Sequence, residues 1–516
     1  MSDLQHPSRF GAEAPDRPAV IAGGTGRVLT YGELEDRACR VANLLRSFGL
    51  ETGGHVAVLV ENRPEFFEVV WGALRIGLHV TPINWHLSAD EAAYIVDDCG
   101  ASVLVASAAL GDVVGNLADE GRALAGRVAV GGPLPGFADY DELLAARPAT
   151  RPPDECEGNW MFYSSGTTGR PKGVKPPTVG GPLGGASSFT MLVQGLYGAG
   201  EDSVYLSPAP LYHAAPAGWT NAFHRLGATT VVMERFDPVE VLELIERHRV
   251  THVQFVPTHL VRLMKLPAQV RARYDLSSLQ VVVHAAAPCP PDVKRAAIEW
   301  LGPIVHEYYS GSEGVGFCAI GPDEWLAHPG SVGRSLLGAV HIVGPDGDEL
   351  PAGREGQVWF ESPSRFEYHG DPAKTAAAFD ERGWSTLGDI GRIDDDGYLY
   401  LTDRVSNMII SGGVNVYPRE VEDVLVLHPA VADVAVIGVP HPDMGEAVRA
   451  VVQLADAEGA DGDDVLAGEL IAFCRQRIAH FKCPTSVVFV DALPRLPSGK
   501  LAKRLLPDEV RGATPA

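Results

Sequence analysis

Short apolar runs alternate with longer segments of helical periodicity in the first part of the chain. Residues 31–48 place apolar side chains every three or four positions, which predicts a helix that ends at Gly49. Residues 55–60 form an apolar run that predicts a buried strand, and residues 64–76 again have helical spacing. Strands that alternate with helices favour parallel sheets, because a parallel neighbour is reached only through a long crossover. The alternation therefore predicts an α/β fold.

The alternation of strand-like and helical segments is repeated later in the chain. The segments with strand-like or helical patterns there are residues 229–233, 238–249, 252–256 and 280–283. Residues 338–361 contain strand-like runs separated by turns with glycine, which predicts a β-rich subdomain. Together these patterns predict a large domain of parallel-rich sheets with helical crossovers and a β-rich subdomain.

The length of the chain requires more than one domain. A chain of 516 residues exceeds what one hydrophobic core usually supports. After the pair Asp403-Arg404 the pattern becomes a short mixture of helices and strands, typical of a small α+β domain. We therefore expect an N-terminal domain over residues 1–403 and a small, mobile α+β domain over residues 404–516.

Composition narrows the classes of function. Hydrophobic residues make up 46% of the chain and charged residues 21%, and the formal net charge is -24. An acidic surface repels phosphate backbones, so nucleic acid is not expected as a partner. Seven scattered cysteines without CxxC spacing favour reduced thiols over disulfides or a zinc site. Since neither a signal-peptide pattern nor a long apolar span is apparent, we expect a cytoplasmic protein without an integral membrane segment.

The most specific motif is a run of small and hydroxyl-bearing residues that follows a short apolar stretch. The run begins at Ser164 and reads Ser-Ser-Gly-Thr-Thr-Gly-Arg-Pro-Lys-Gly. Glycines let the backbone turn its N–H groups onto an anion, hydroxyls add further donors, and Lys172 adds a positive charge. The run therefore predicts a polyphosphate site. It is not a Walker A loop, because Gly173 stands where Ser or Thr would hold magnesium.

This run resembles the phosphate loop of the adenylate-forming (ANL) superfamily, which includes acyl-CoA synthetases, luciferases and peptide-synthetase adenylation domains. Residues 285–288 resemble the superfamily's adenine-binding turn, and residues 307–313 resemble its aromatic motif. The resemblance implies that Glu313 and Ser164 hold Mg²⁺. The ATP contacts that it implies in these segments are Ser164, Ser165, Gly166, Thr167, Thr168, Gly169, Lys172, Ala285, Ala286, Ala287, Glu307, Tyr308, Tyr309 and Ser312.

Later segments resemble the ribose-binding and hinge motifs of the same superfamily. Residues 383–389 are similar to the motif whose aspartate accepts both ribose hydroxyls, which implies that role for Asp389. Arg404 is expected beside it. The superfamily's hinge position falls on Ser406, where Asp or Lys is usual.

The resemblance also implies catalytic residues and a coenzyme A path. Residues 494–500 resemble the motif that carries the adenylation lysine, which makes Lys500 a catalytic candidate together with Glu313 and His213, the latter lining the acyl pocket. The expected contacts of coenzyme A are Ser411, Gly412, Gly413 and Lys482.

The resemblance implies an AMP-forming acyl-CoA synthetase that uses ATP, Mg²⁺ and coenzyme A. Candidate pocket residues such as Trp219 are mostly small or apolar, which favours a hydrophobic carboxylic acid as the substrate. Fatty, steroid-side-chain and aryl acids all stay open, as does a homodimer. The alternatives are a stand-alone adenylating enzyme with another acceptor, a luciferase-like oxygen chemistry, and an inactive nucleotide-binding homologue.

Overall fold

The structure is a computed structural model. It describes residues 4–119, 124–164, 171–176, 179–363, 365–404, 407–411, 414–441, 444–455, 462–495 and 501–512.

The described residues form helices and strands in alternation. The helices are α1 (Pro7–Glu13), α2 (Tyr31–Ser47), α3 (Pro64–Leu74), α4 (Ala89–Asp98), α5 (Gly111–Asp119), α6 (Tyr140–Ala145), α7 (Ser188–Tyr197), α8 (Ala214–Arg225), α9 (Pro238–His248), α10 (Pro257–Lys265), α11 (Ala268–Arg271), α12 (Pro291–Leu301), α13 (Pro322–Ala327), α14 (Pro372–Ala377), α15 (Pro418–Leu425), α16 (Asp464–Arg475) and α17 (Asp508–Arg511). The strands are β1 (Pro18–Ala22), β2 (Val28–Thr30), β3 (His55–Leu59), β4 (His79–Pro82), β5 (Val103–Ser107), β6 (Gly126–Val130), β7 (Ala138–Asp139), β8 (Asn159–Trp160), β9 (Phe162–Ser164), β10 (Lys172–Lys175), β11 (Val204–Ser207), β12 (Thr229–Val232), β13 (His252–Phe255), β14 (Val281–His284), β15 (Val305–Ser310), β16 (Phe317–Ile320), β17 (Arg334–Leu337), β18 (Ala339–Val343), β19 (Gly356–Glu361), β20 (Glu367–Tyr368), β21 (Asp389–Ile393), β22 (Leu399–Arg404), β23 (Ile409–Ser411), β24 (Val414–Val416), β25 (Val431–His441), β26 (Gly445–Leu454) and β27 (Ser486–Val490).

Two large sheets dominate the first part of the molecule. A nine-stranded sheet has the order β17-β16-β15-β14-β13-β11-β12-β1-β2, and its pairs from β1 through β15 are parallel. A six-stranded sheet has the order β7-β6-β5-β3-β4-β8 and is parallel throughout. These sheets confirm the α/β prediction.

Helices α2 and α3 fill the space between the two large sheets. A capping box starts α2: the Thr30 side chain accepts from the N–H of Glu33, and Glu33 accepts from the N–H of Thr30. Every residue of α3 is buried, because both sheets and α2 cover it. One apolar core therefore joins the two sheets and fixes their relative position.

Two smaller antiparallel sheets provide the predicted β-rich part. One has the order β18-β19-β21-β22, and the other has the order β20-β10-β9. Their shared core contains Val174, Phe360 and Phe366, so the strand that follows the phosphate loop packs with the β-rich region.

The last strands form a sheet with its own core. This sheet has the order β24-β23-β26-β25, with β27 beside β26, and is covered by α15 and α16. Lys265 of α10 reaches across to it and donates hydrogen bonds to the carbonyl oxygens of Val431 and Ala432. Within the described residues, no helix is long and apolar enough to cross a membrane.

Candidate active site

Strands β9 and β10 hold the two ends of the predicted phosphate loop. They pair in antiparallel register, with Lys172 opposite Ser164, so the intervening segment is the connection of a hairpin. Several predicted site residues lie outside the described part of the structure: Ser165, Gly166, Thr167, Thr168, Gly169, Gly412, Gly413 and Lys500. The side chains of Ser164 and Arg404 are not described either. The predicted hinge residue Ser406 also lies outside the described residues.

A compact polar cluster stands at the base of this hairpin. The Tyr368 hydroxyl donates to Glu313 Oε1 at 3.0 Å, and Lys172 Nζ lies 5.3 Å from the centre of the Tyr368 ring. Strand β20 positions Tyr368, because it pairs with β10 directly beside the hairpin. Glu313, the predicted metal ligand, and Lys172, the predicted phosphate ligand, thus both lie against the side chain of Tyr368.

A second lysine completes the cluster. Lys374 lies in α14, which Asp371 caps by accepting from the Lys374 N–H at 2.9 Å. Partial burial, followed by the neighbouring charge of Lys374, lowers the pKa of Lys172 to about 8, although Glu313 and Asp371 act in the opposite direction. Two ammonium groups held this close repel each other, and a polyanion between them would relieve that repulsion.

The predicted nucleoside contacts line a cavity of about 920 Å³ between the large sheets and the C-terminal sheet. Tyr309 and Asp389 meet there, since the Tyr309 hydroxyl donates to Asp389 Oδ2 at 2.5 Å. Asp389 is the register partner of Arg404 across β21 and β22, as the predicted ribose pair requires. An aromatic ring, a carboxylate and an arginine position are therefore brought together at one wall.

The predicted adenine-binding turn follows β14. Ala286 and Ala287 line the cavity, whereas Ala285 is buried in the adjoining core. Ala286 has a φ of 74°, the left-handed region that costs an L-residue about 1–2 kcal/mol. Ser312 stands exposed in the turn between β15 and β16, next to Glu313.

Glu307 has a structural partner as well as a place on the cavity. Its carboxylate accepts from Lys294 Nζ at 2.6 Å and lies 3.5 Å from His284 Nε2. Lys294 is fully buried, and desolvation lowers its pKa while Glu307 opposes that shift. The Glu307 contact with the nucleotide stays a prediction, and the ion pair gives the residue a further role in holding β15.

Aromatic rings close the wall behind Tyr308. Trp219 is fully buried in α8 and donates its Nε1–H to the Tyr308 hydroxyl at 3.3 Å. Tyr205 and Phe223 stack against the same indole. His213 precedes α8 as its N-cap residue, with its ring 4.4 Å from that of Tyr212. Helix α8 therefore positions both His213, at its start, and Trp219, which is fully buried and serves as core packing.

Two of the predicted coenzyme A contacts, Ser411 and Lys482, are among the described residues. Ser411 ends β23 and pairs with Val414 and Gly445. Lys482 forms an ion pair with Glu420 at the start of α15. These residues are anchored in the part of the chain that the sequence predicts to move.

Sequence reasoning missed Tyr368, Lys374 and Lys294. Tyr368 and Lys374 are far from Lys172 along the chain and reach it only through the pairing of β20 with β10. The Asp-Pro pair before α14 is a helix-start signal, so the position of Lys374 in a first turn could have been predicted, but not what it faces.

Two family models match the chain. The model of the AMP-binding enzyme family matches residues 8–367, and the model of the AMP-binding enzyme C-terminal domain matches residues 420–500. The chain is 36% identical over 504 residues to a feruloyl-CoA synthase of an Amycolatopsis species, covering 96% of each protein. It is 33% identical over 507 residues to the long-chain-fatty-acid–CoA ligase FadD13 of Mycobacterium tuberculosis, covering 97% of each.

A solved structure shows the same fold with nucleotide present. The crystal structure of ATP-bound MatB from Rhodopseudomonas palustris matches with a TM-score of 0.81 and 27% sequence identity, covering 98% of this chain and 99% of that chain.

Proposed function

Since the chain belongs to the AMP-binding enzyme family, we propose that it joins a hydrophobic carboxylic acid to coenzyme A through an acyl-adenylate, releasing AMP and pyrophosphate. The observation that carries the proposal is the cluster of Glu313, Tyr368, Lys172 and Lys374 at the base of the hairpin. It combines one carboxylate with two ammonium groups, which is the set of charges that a metal-bound triphosphate requires.

The residues of the cluster fit Mg²⁺. Magnesium prefers oxygen ligands and is commonly held by one or two carboxylates together with substrate phosphates. Glu313 would hold the ion, with Tyr368 orienting the carboxylate. Bound there, Mg²⁺ supplies positive charge to the phosphate oxygens.

The first half-reaction follows from these positions. The substrate carboxylate attacks the α-phosphorus of ATP, and the bond to the pyrophosphate oxygen breaks. Lys172 and Lys374 offset the charge that grows on the departing pyrophosphate, while Asp389 and Tyr309 hold the nucleoside in place. Lys500, predicted from its motif, would stabilise the reacting phosphate.

The second half-reaction requires the C-terminal part of the chain to turn. Strand β22 belongs to the sheet of β18, β19 and β21, whereas β23 belongs to the C-terminal sheet. This change of sheet supports a domain boundary near residues 403–404. Rotation there would withdraw Lys500 and bring Ser411 with Gly412 and Gly413 to a thiol path. The coenzyme A thiol then attacks the acyl carbonyl, and AMP leaves. Lys482 would stand near the coenzyme.

The aromatic wall favours a compact acid. An acyl group that extends behind Tyr308 meets Trp219, which is fully buried and packs against the stacked rings of Tyr205 and Phe223. A long chain in this direction would have to displace the indole, whereas a flat ring can lie against it. We therefore rank aryl acids, of the kind named for the feruloyl-CoA synthase, above long-chain fatty acids.

The test is pyrophosphate release by the purified protein across a panel of acids, with and without coenzyme A. Release only with a hydrophobic acid and Mg²⁺, followed by thioester formation with coenzyme A, supports the proposal. Release without thioester formation would assign another acceptor. No release with any acid would favour an inactive nucleotide-binding homologue. Turnover with amino acids would favour a peptide-synthetase activity.

Location and partners follow from the thiols and the charge. All seven cysteines are free and six of them are buried, which supports a reducing compartment such as the cytoplasm. The net charge of -24 supports the absence of a nucleic-acid partner. A homodimer stays a prediction that sedimentation can test.

A further inference from the structure

Four basic side chains meet at the amino ends of β3 and β4, beside β10. His55 and His79 begin their strands as register partners, and their rings stack with centroids 4.6 Å apart. Lys175 ends β10 and places its Nζ 3.4 Å from His55 Nε2. The His369 ring lies 6.2 Å from that of His55. Strands of two sheets, and the residue that follows β20, thus direct basic groups to one place.

The contact with Lys175 determines which nitrogen of His55 carries the proton. A lysine ammonium has only protons to donate, so His55 Nε2 must offer its lone pair. Burial, then His79, Lys175 and His369, lower the pKa of His55 to about 3, so the ring is neutral at physiological pH. A neutral imidazole with Nε2 as acceptor has its proton on Nδ1. His55 Nδ1 is therefore an N–H donor.

This donor has no acceptor among the residues that the structure describes. His55 Nδ1 is buried, and His79 Nδ1 is buried and equally without a partner within those residues. His79 is only 4% exposed, so bulk water does not reach its ring freely. A buried N–H without an acceptor has lost the hydrogen bond to water that it makes in the unfolded chain. The cluster therefore offers donors and positive charge, and it requires an acceptor.

The carboxylate that lies across the strand pair from Lys175 does not supply that acceptor. Glu367 is the cross-strand partner of Lys175, but its side chain is exposed, whereas Lys175 directs its ammonium to His55. Burial, then Lys175 and His369, also lower the pKa of His79 to about 4. The charged groups that act on both histidines are thus cationic.

The cluster is separate from the ATP site. Lys172 and Lys175 are three residues apart on β10, and side chains at odd spacing point to opposite faces of a strand. They are therefore about 10 Å apart along the strand and on different sides of it.

We propose that His55, His79 and Lys175 form a second binding site, for a phosphate group. The tetrahedral group has several acceptor oxygens, which match the Nδ1 positions of the two stacked imidazoles, and Lys175, on the other side of the His55 ring, supplies positive charge at longer range. Free phosphate and a phosphate ester share this chemistry. The site goes beyond the proposed ligase activity and does not depend on it.

The test uses the full chain with ¹⁵N-labelled histidine. Two-bond ¹H–¹⁵N spectra report which ring nitrogen carries the proton, and His55 is expected to be protonated at Nδ1. Inorganic phosphate and glycerol 1-phosphate are titrated separately, with sodium chloride at equal ionic strength as the control. Saturable shifts at His55 and His79 with phosphate, absent with chloride, support the site, and a response to only one probe identifies free phosphate or the ester as its ligand.

Substitutions at Lys175 and Glu367 are expected to change the affinity for phosphate in opposite directions. Lys175→Met weakens phosphate binding about tenfold, because it removes the nearby positive charge and the contact that keeps the His55 proton on Nδ1, whereas Lys175→Arg retains it. Glu367→Gln strengthens binding, because it removes the nearby negative charge. Nε2 protonation of His55, shifts no larger than those with chloride, or equal affinity of Lys175→Met and the unaltered protein would each overturn the proposal. Assay of acid activation is not needed for any of these outcomes.

Discussion

Lys374 offers the sharpest test of the polar cluster. It lies beside Lys172, and after burial it is the main cause of the low pKa of Lys172. Above a pH of about 8 Lys172 is increasingly neutral in the free protein, so its attraction for the triphosphate weakens as pH rises. Lys374→Gln removes the repulsion, so Lys172 stays charged to higher pH. The fall of kcat/KM for ATP at alkaline pH should then begin at a higher pH in the variant.

The magnitude follows from one lost charge on the phosphates. A hydrogen bond to a charged group contributes about 1.5–3 kcal/mol, so Lys374→Gln should lower kcat/KM for ATP about tenfold to hundredfold at neutral pH. The KM of the acid should change little. Lys374→Arg keeps the charge and should recover most of the loss.

The assay is pyrophosphate release under varied ATP concentration from pH 6.5 to 9.5, with melting curves to show that each variant is folded. Because kcat/KM reports the ionisation of the free enzyme, the alkaline limb is the decisive readout. If Lys374→Gln lowers activity but leaves the alkaline limb where it was, Lys374 does not act on Lys172. If it changes neither, the second lysine is not part of the site.

Three further predictions concern other parts of the molecule. Lys500→Ala should slow adenylation roughly 10²–10³-fold but spare thioester formation from supplied acyl-adenylate, while Gly413→Leu should do the reverse; equal loss of both steps in both variants would refute two conformations. Lys294→Met should leave the Glu307 carboxylate buried without its partner and destabilise the fold by about 3–5 kcal/mol, seen as a lower melting temperature, and adding Glu307→Leu should restore most of it. Trp219→Leu should open the wall behind Tyr308 and shift the acid panel toward longer acyl groups; an unchanged preference would place the acyl group elsewhere.

Local periodicity was sufficient to predict much of the fold. The helix predicted at residues 31–48 is α2, and the strand predicted at residues 55–60 is β3. Both depend on patterns that lie within one segment. The order of the strands in the nine-stranded sheet could not be predicted in this way, because β1 joins β12 through contacts between distant segments.

The same distinction applies to the site: residues within a motif could be predicted, whereas contacts between distant segments could not. Tyr309 and Asp389 were predicted from motifs, and the structure brings them together at 2.5 Å. The neighbours of Lys172 were not predicted, since Tyr368 and Lys374 reach it through the pairing of β20 with β10, for which no single segment carries a signal. The ion pair of Glu307, which adds to its predicted nucleotide contact, could not be predicted either, because its partner Lys294 lies on a separate helix.

The contact from Lys265 to the carbonyl oxygens of Val431 and Ala432 has an evolutionary consequence. Its acceptors belong to the main chain, which every amino acid carries, so substitutions at those two positions leave the acceptor atoms in place. Only the donor side can be changed by mutation. Selection can therefore adjust how firmly the C-terminal sheet is held in this arrangement through one codon, without altering any residue of the sheet itself.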